Sequence, residues 1–479
     1  MRRVLVVGNG MAGARFVDEL LRRDPGLSVT VVGAEDRPAY NRVLLSDVLA
    51  GRRRTADLDL GGPADAARHL GVRAVAVDRA ARTVTTSAGD VLAYDRLVLA
   101  TGSTAVVPPV HGIAGPDGRL LPGVHVFRTL DDCDAVVEAA GRARRAVVVG
   151  GGLLGLEAAR GLLAHGLQVS VVHAAGHLLD AQLDPLGGAV LRRAVEGLGI
   201  DVHLGSRAAG VTGSRRVTGV RLADGRHVDG DLVVLACGVR PETALARAAG
   251  LAVGRGVLVD DRLTTDDPRV SALGECTEHR GQVYGLVQPA WEQAAVLADV
   301  LTGRPAAYTG SRTVARLKAA GLDVAAMGET APEPADTRDG LEVLQWSDPA
   351  RLVYKKLVVR DGVVTGAVLL GDLSTAGVVT QAFDRATPLP AGRLHLLFAG
   401  TGPGAPAQAA DDDVVCTCNA VTAGALRRCG ARTVPEAALA TRATTGCGTC
   451  AHAVAALLPA ALPAAPGPAD APVPVPRSA

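Results

Sequence analysis

Two tight cysteine pairs, Cys416-x-Cys418 and Cys447-x-x-Cys450, stand near the end of this chain. Thiolates at such spacing hold zinc or an iron–sulfur cluster. Four sulfurs complete a tetrahedral Cys₄ zinc site, or supply two ligands to each iron of a [2Fe–2S] cluster. The residues alone leave both open, although a zinc ribbon ordinarily carries CxxC at both ends and the first pair here is CxC. Cys429, between the pairs, fits neither. Cys133, Cys237 and Cys276 are isolated in the sequence. They read as small buried hydrophobes without a role.

A second kind of chemistry is written in glycine. Gly8-x-Gly10-x-x-Gly13 follows the apolar run Val4–Val7 and precedes a helical pattern with Phe16, Val17, Leu20 and Leu21. A second apolar run then leads to Glu35. This is the dinucleotide fingerprint in its full strand–helix–strand setting. The first glycine makes the turn, the second admits a pyrophosphate, and the third lets helix meet strand. Met11 and Ala12 lie at the helix start, where backbone N–H groups face the phosphates. The pattern recurs as Gly150-x-Gly152-x-x-Gly155, with Leu153 and Leu154 at its helix start. There the acid position holds His173. Neither a carboxylate favouring NAD nor an arginine favouring NADP is present, so the choice of coenzyme stays open. Two cradles imply two dinucleotides.

These residues need a large scaffold. The chain has 479 residues, 48% hydrophobic and 21% charged, with a net charge of +1. That suits a soluble protein of several domains and gives no reason to expect a nucleic-acid or membrane-surface partner. Lysine is nearly absent, with Lys318, Lys355 and Lys356 alone, while Arg, Ala and Gly abound. The N-terminal apolar run is too short for a signal peptide and leads into the fingerprint. No stretch is long enough to span a bilayer. The expected compartment is therefore the cytoplasm, where paired cysteines bind metal or do redox work.

Further markers follow each fingerprint. The strand Tyr94–Ser103 ends in Thr101-Gly102, and Asp231–Ala246 is its counterpart, carrying Gly238. Asp267–His279 carries Gly274-Glu275. In this order the markers resemble the pyridine nucleotide-disulfide-type flavoprotein reductases. That resemblance implies an α/β fold of two Rossmann-like domains, the NAD(P)H-binding one inserted in the FAD-binding one. The segment Arg37–Gly51 narrows it to rubredoxin and ferredoxin reductases and the assimilatory nitrite reductase large subunit. It implies that Arg42 lies on the flavin side, Arg128 meets the FAD pyrophosphate, Glu275 the ribitol, and Glu157 the nicotinamide–flavin stack. Relatives often carry lysine where this chain has Asp47, so that flavin contact does not transfer.

Disulfide-reducing relatives place a cysteine or CxxxxC in the Arg37–Gly51 segment, or a CxxC in the second Rossmann unit, and this chain has neither. Flavin electrons must leave by another route. From Gly303 to Gly402 the pattern turns to strands punctuated at Asp361-Gly362 and Gly371-Asp372, an α+β third domain. The CxC…GCGTC segment resembles bacterioferritin-associated-ferredoxin-like [2Fe–2S] domains, which favours a cluster over zinc. The expected organisation is a FAD-binding domain at 1–109 and 237–305 and an NAD(P)H-binding domain at 110–236. An interface domain follows at 306–403, a linker at 404–414, a small helical [2Fe–2S] domain at 415–459 and a Pro/Ala-rich disordered tail at 460–479.

This order resembles the N-terminal part of NAD(P)H nitrite reductase and the electron-transfer subunit of assimilatory nitrate reductase. It implies a relay from NADH or NADPH through FAD and the cluster to a nitrate or nitrite reductase catalytic subunit, and it allows a homodimer. No further cysteines follow for a sirohaem domain, so nitrite reduction itself is not expected on this polypeptide. Two rivals remain: a FAD/[2Fe–2S] subunit of an amine or amino-acid dehydrogenase, and a reductase whose terminal cysteines hold structural zinc for docking.

Overall fold

The computed structural model describes residues 2–62, 66–115, 117–319, 321–336, 340–389, 392–398, 410–416, 419, 421–445 and 450–459. The chain divides into two compact units, Met1–Ala407 and Gln408–Ala479.

In the first unit the fingerprint strand Arg3–Val7 sits at the middle of a five-stranded parallel sheet. Ser28–Gly33 and Ala67–Leu70 lie on one side, and Arg96–Leu99 and Val270–Ala272 on the other. Only its first residue is exposed, as an unbroken apolar run buried on both faces requires. The helix Met11–Arg23 buries Phe16, Val17 and Leu20 against this sheet. The second fingerprint repeats the plan. Arg145–Val149 is central, flanked by Gln168–Val172 and Ile200–His203 on one side and Leu232–Leu235 and Val124–Val126 on the other. Each sheet is interrupted by the same kind of excursion, a three-stranded antiparallel meander inserted before a later strand of that sheet.

The two halves are joined by a two-stranded ribbon. Ser103–Ala105 leaves the first domain and Val239–Pro241 returns, paired antiparallel with Ser103 opposite Pro241. The second Rossmann domain is thus inserted at one narrow place.

The remaining sheet is antiparallel, in the order Val314–Ala319, Leu322–Gly328, Val363–Leu370, Val353–Arg360, Leu341–Asp348. Its side chains alternate between two cores. Val324, Ala326, Tyr354, Val368 and Leu370 join the cluster containing Leu156, Ala159 and Leu191 of the second Rossmann domain. Ala325, Met327, Leu357, Val359 and Leu369 instead pack with Val379 and Phe383 of the helix Ala376–Arg385. A sheet covered on both faces explains its near-continuous apolar strands. It also buries Lys355 and Lys356 completely, one on each face.

The second unit has a small hairpin, Val414–Cys416 with Val421–Thr422, and helices Ala423–Arg428, Val434–Thr441 and Ala451–Leu457. Thr422 and Thr433 cap the first two helices, their hydroxyls accepting from Ala425 N–H at 3.2 Å and Glu436 N–H at 3.3 Å. The core is small and includes Cys416, Val421, Leu426, Ala437 and Val454. Among the described residues, no helix is long and apolar enough to cross a membrane.

Candidate functional site

Both fingerprints form open cradles with the same construction. Gly8 has φ +119°, and a Cβ there would lie 2.1 Å from the Ala100 carbonyl oxygen. Gly150 has φ +126°, and its Cβ would lie 2.1 Å from the Ala236 oxygen. A side chain at either would push the loop off the neighbouring strand. Gly13 and Gly155 stand against the carbonyls of Gly8 and Gly150, where a Cβ would come to 2.1 and 2.0 Å. The middle glycines face open space instead. At Gly10 the nearest atom to an added Cβ is Arg42 Nε at 3.9 Å, and at Gly152 nothing lies within 4 Å. No side chain caps the N-terminus of either following helix, Met11–Arg23 or Leu153–Ala164, and neither has an acidic residue in its first turn. Unsatisfied N–H groups, no negative charge and room at the middle glycine fit a pyrophosphate in each cradle.

At the first cradle Glu35 accepts from the Tyr40 hydroxyl at 2.7 Å and pairs with Arg42, whose guanidinium lies 4.8 Å over the Tyr40 ring. Burial, with the Glu35 carboxylate beside it, pushes the Tyr40 phenol up, so it stays a donor. The same hydroxyl accepts from Leu130 N–H at 2.9 Å. Arg42 is thus placed at the fingerprint end of the site, against Glu35 and Gly10. Arg128 and Glu275 form an ion pair bridged by Ser103, whose hydroxyl donates to Glu275 at 2.6 Å and accepts from Arg128 at 2.7 Å. Residues 172 positions apart meet here because the parallel sheet returns Glu275 beside the start of the ribbon. Thr101 donates to Glu242 O at 2.7 Å, holding the two crossing segments together.

The Gly274-Glu275 turn is fixed from below. Gln293 is buried, and its side-chain oxygen accepts from Gly274 N–H at 2.7 Å. Ala12 stands 2.9 Å from where a Gly274 Cβ would sit, so the turn rests on the first turn of the fingerprint helix. Trp291 donates to Met11 O at 3.2 Å from the same direction. Nothing in the sequence marked Gln293. Replacing it with leucine leaves a buried N–H unpaired, so stability is expected to fall by about 1–3 kcal/mol with partial loss of FAD. Thermal unfolding and flavin content measure this, and an unchanged midpoint would refute the role.

At the second cradle Leu153, Leu154 and Glu157 are half-buried on the helix Leu153–Ala164. His173, at the strand end, accepts from Gly151 N–H through Nδ1 at 3.1 Å. Gly238 lies at the foot of the return strand, its carbonyl accepting from Val106 N–H at 3.0 Å.

In the second unit, Cys416 is buried and its sulfur meets that of Cys450. Hydrogen bonding with Cys450 draws the Cys416 thiol down to about 6, helped by Thr444 and Asn419 and opposed by burial. Asn419 points its amide at the Cys416 sulfur at 3.8 Å while donating to Arg442 O at 2.6 Å and Thr445 Oγ1 at 3.2 Å. A thiol held close to its thiolate form among N–H donors fits a metal or cluster ligand. Cys418 and Cys447 lie outside the described residues. Cys429 instead donates to Leu426 O at 3.0 Å. Burial pushes the Cys133 thiol up to about 12 and raises that of Cys237, which suits inert packing.

Comparison with known proteins gives matches along most of the chain. Residues 2–294 match the family described as "Pyridine nucleotide-disulphide oxidoreductase", 314–387 the "Rubredoxin NAD+ reductase C-terminal domain", and 414–460 the "BFD-like [2Fe-2S] binding domain". The chain is 36% identical to "Nitrite reductase [NAD(P)H]" of Bacillus subtilis (strain 168), over 94% of this chain and 56% of that protein. It is 34% identical to the "Assimilatory nitrate reductase electron transfer subunit" of the same organism, over 95% of this chain and 59% of that protein. It thus spans less than two thirds of the length of these relatives. A solved ferredoxin reductase for the CYP199A2 system of Rhodopseudomonas palustris superposes with a TM-score of 0.72 at 26% identity, covering 81% of this chain and 96% of that one.

Proposed function

The chain belongs to the pyridine nucleotide-disulphide oxidoreductase family, as an NAD(P)H-dependent oxidoreductase whose cofactors are FAD and a [2Fe–2S] cluster, and from that premise we propose that it delivers reducing equivalents to a partner reductase in nitrate or nitrite assimilation. The observation that carries this reading is the repeated cradle. Two glycine cradles of matching geometry, each with room for a pyrophosphate, share one unit, while residues 37–51 hold no cysteine to accept electrons. The terminal cysteines then stand as the outlet. The names of the two Bacillus relatives support the nitrogen-assimilation assignment.

When bound, the coenzyme supplies a hydride, the flavin takes its electron pair, and the cluster accepts electrons singly. The protein binds and orients. Gly8, Gly10 and Gly13, with the N–H groups of Met11 and Ala12, would hold the FAD pyrophosphate. Glu35 would accept the ribose hydroxyls, kept in place by Tyr40 and Arg42. Arg128 would offer positive charge to the pyrophosphate, and Glu275 would accept from the ribitol. Thr101, Gly102 and Gly238 would shape the crossing between the two cradles. Gly150, Gly152 and Gly155, with Leu153 and Leu154, would hold the coenzyme, and Glu157 would orient its nicotinamide. Cys416, Cys418, Cys447 and Cys450 would each give a thiolate to the cluster.

The partner in this reading is a nitrate or nitrite reductase catalytic subunit, the compartment is the cytoplasm, and a homodimer is the assembly. Anaerobic titration of the purified protein with NADH or NADPH tests the relay. The flavin absorbance should fall and the reduced-cluster EPR signal should appear. Flavin bleaching without cluster reduction, or zinc in place of iron, would overturn it.

A further inference from the structure

We infer that this protein selects NADH over NADPH through Asp180, whose carboxylate His173 holds at the ribose end of the second cradle. The inference rests on the reading of that cradle as the NAD(P)H site. The fingerprint's usual device is a carboxylate at the end of the second strand, accepting from the ribose 2′-hydroxyl and repelling a 2′-phosphate. Here the residue that follows the strand Gln168–Val172 is His173.

The histidine is locked by its two ring nitrogens. Nδ1 accepts from Gly151 N–H at 3.1 Å, so the ring hydrogen is on Nε2. Nε2 lies 3.0 Å from Asp180 Oδ1 and donates to it. The ring is seated on the loop itself, since a Cβ on Gly151 would come within 2.8 Å of His173 Cγ. The side chain of His173 is 13% exposed and that of Asp180 is 47% exposed, so the carboxylate stands at the surface of a buried support.

The backbone brings Asp180 there deliberately. The segment after the strand folds back, and Leu179 N–H donates to Gly151 O at 3.0 Å. Both backbone groups of Gly151 are therefore taken, the N–H by the His173 ring and the carbonyl by this returning segment. Leu179 is fully buried with φ +51°, a left-handed conformation uncommon for leucine. That strained residue immediately precedes Asp180 and directs it back toward His173.

The first cradle also places its acid beyond the strand end, though closer to it. Its strand Ser28–Gly33 ends in glycine, and the acid comes two residues later, at Glu35, held by the Tyr40 hydroxyl at 2.7 Å. In the second copy the acid comes seven residues after the strand-end histidine and is held by the imidazole at 3.0 Å. Each cradle thus has a carboxylate oriented by a donor from a neighbouring side chain. Residues 173–184 contain no lysine or arginine to balance a 2′-phosphate. A dianion there would meet Asp180 directly.

Equilibrium binding of NAD+ and NADP+ to the FAD-loaded protein, by calorimetry and without turnover, tests this. Wild type should bind NAD+ tighter by on the order of tenfold or more. Asp180→Ala should bring the two affinities within about threefold by weakening NAD+ and relieving NADP+. His173→Leu should shift the ratio the same way, and His173→Gln, which keeps a donor and an acceptor, should restore part of it. Flavin content and circular dichroism report whether each variant is folded. Equal wild-type affinities, a preference for NADP+, or an Asp180→Ala variant with the wild-type ratio would overturn the inference. If wild type binds neither dinucleotide, the reading of the second cradle falls as well.

Discussion

Replacing Lys356 with alanine is expected to destabilise the nucleotide-binding unit by about 3–5 kcal/mol, the cost of leaving a buried charge without its partner. Lys356 is fully buried and pairs with Asp184, which also accepts from the Tyr354 hydroxyl and from Gly187 N–H at 2.8 Å. Its ammonium donates further to Thr330 O at 2.9 Å. Asp184 caps the helix Pro185–Gly197 of the inserted domain, whereas Tyr354 and Lys356 belong to the antiparallel sheet. One carboxylate therefore fastens two domains. Burial alone would raise Asp184, but its bonds from Lys356, Tyr354 and Gly187 bring it below the usual carboxylate range. A lowered folded value means stabilisation that is present above the unfolded carboxylate pKa of about 4 and lost as pH falls through the folded value. The double variant Lys356→Met, Asp184→Asn keeps the cap without the charges. It should cost clearly less than Lys356→Ala and lose this contribution to acid sensitivity. Denaturation midpoints against pH decide the matter. A Lys356→Ala midpoint within a degree or two of wild type would refute the clamp.

Cys416→Ser should remove the iron almost entirely while flavin reduction by NADH stays within about twofold, since hydride transfer needs only the two cradles. Cys429→Ser, in the same small unit, should keep its iron. The contrast comes from the surroundings of two thiols of identical chemistry. The Cys416 thiol is drawn down to about 6 by Cys450 and nearby donors, whereas Cys429 is spent on the Leu426 carbonyl. Metal analysis and EPR of both variants give the answer. Iron retained in Cys416→Ser, or lost in Cys429→Ser, would contradict the assignment.

What could be read from the sequence depended on how local the physics was. The glycine fingerprints were legible because the outer glycines answer to backbone contacts that any version of this loop must make, while the middle one keeps its space open. The carbonyls they meet, of Ala100 and Ala236, lie some ninety positions away and could not be named in advance. The α+β character of the third domain was legible from its punctuated strands. The fate of Lys355 and Lys356 was not. Adjacent lysines in a strand read as solvated, yet a sheet covered on both faces buries each one. Lys355 finds Asp372 at 2.6 Å and Leu397 O at 2.7 Å. Gln293 and Asp180 were equally silent, since each matters through one partner chosen by tertiary structure. The cysteine spacing set Cys416 and Cys450 apart from Cys429, and the fold brings the first two sulfurs together while Cys429 turns to the Leu426 carbonyl.

The ribbon of Ser103–Ala105 and Val239–Pro241 makes the coenzyme domain a cassette. Entry and exit lie side by side, so residues 104–240 could be exchanged for another module without cutting a strand of the first Rossmann sheet. Closing the gap would take only a short turn, because paired antiparallel residues stand about 5 Å apart. The Asp184–Lys356 clamp sets the condition on such an exchange. A transplanted module must bring a carboxylate for Lys356, or the antiparallel sheet must travel with it.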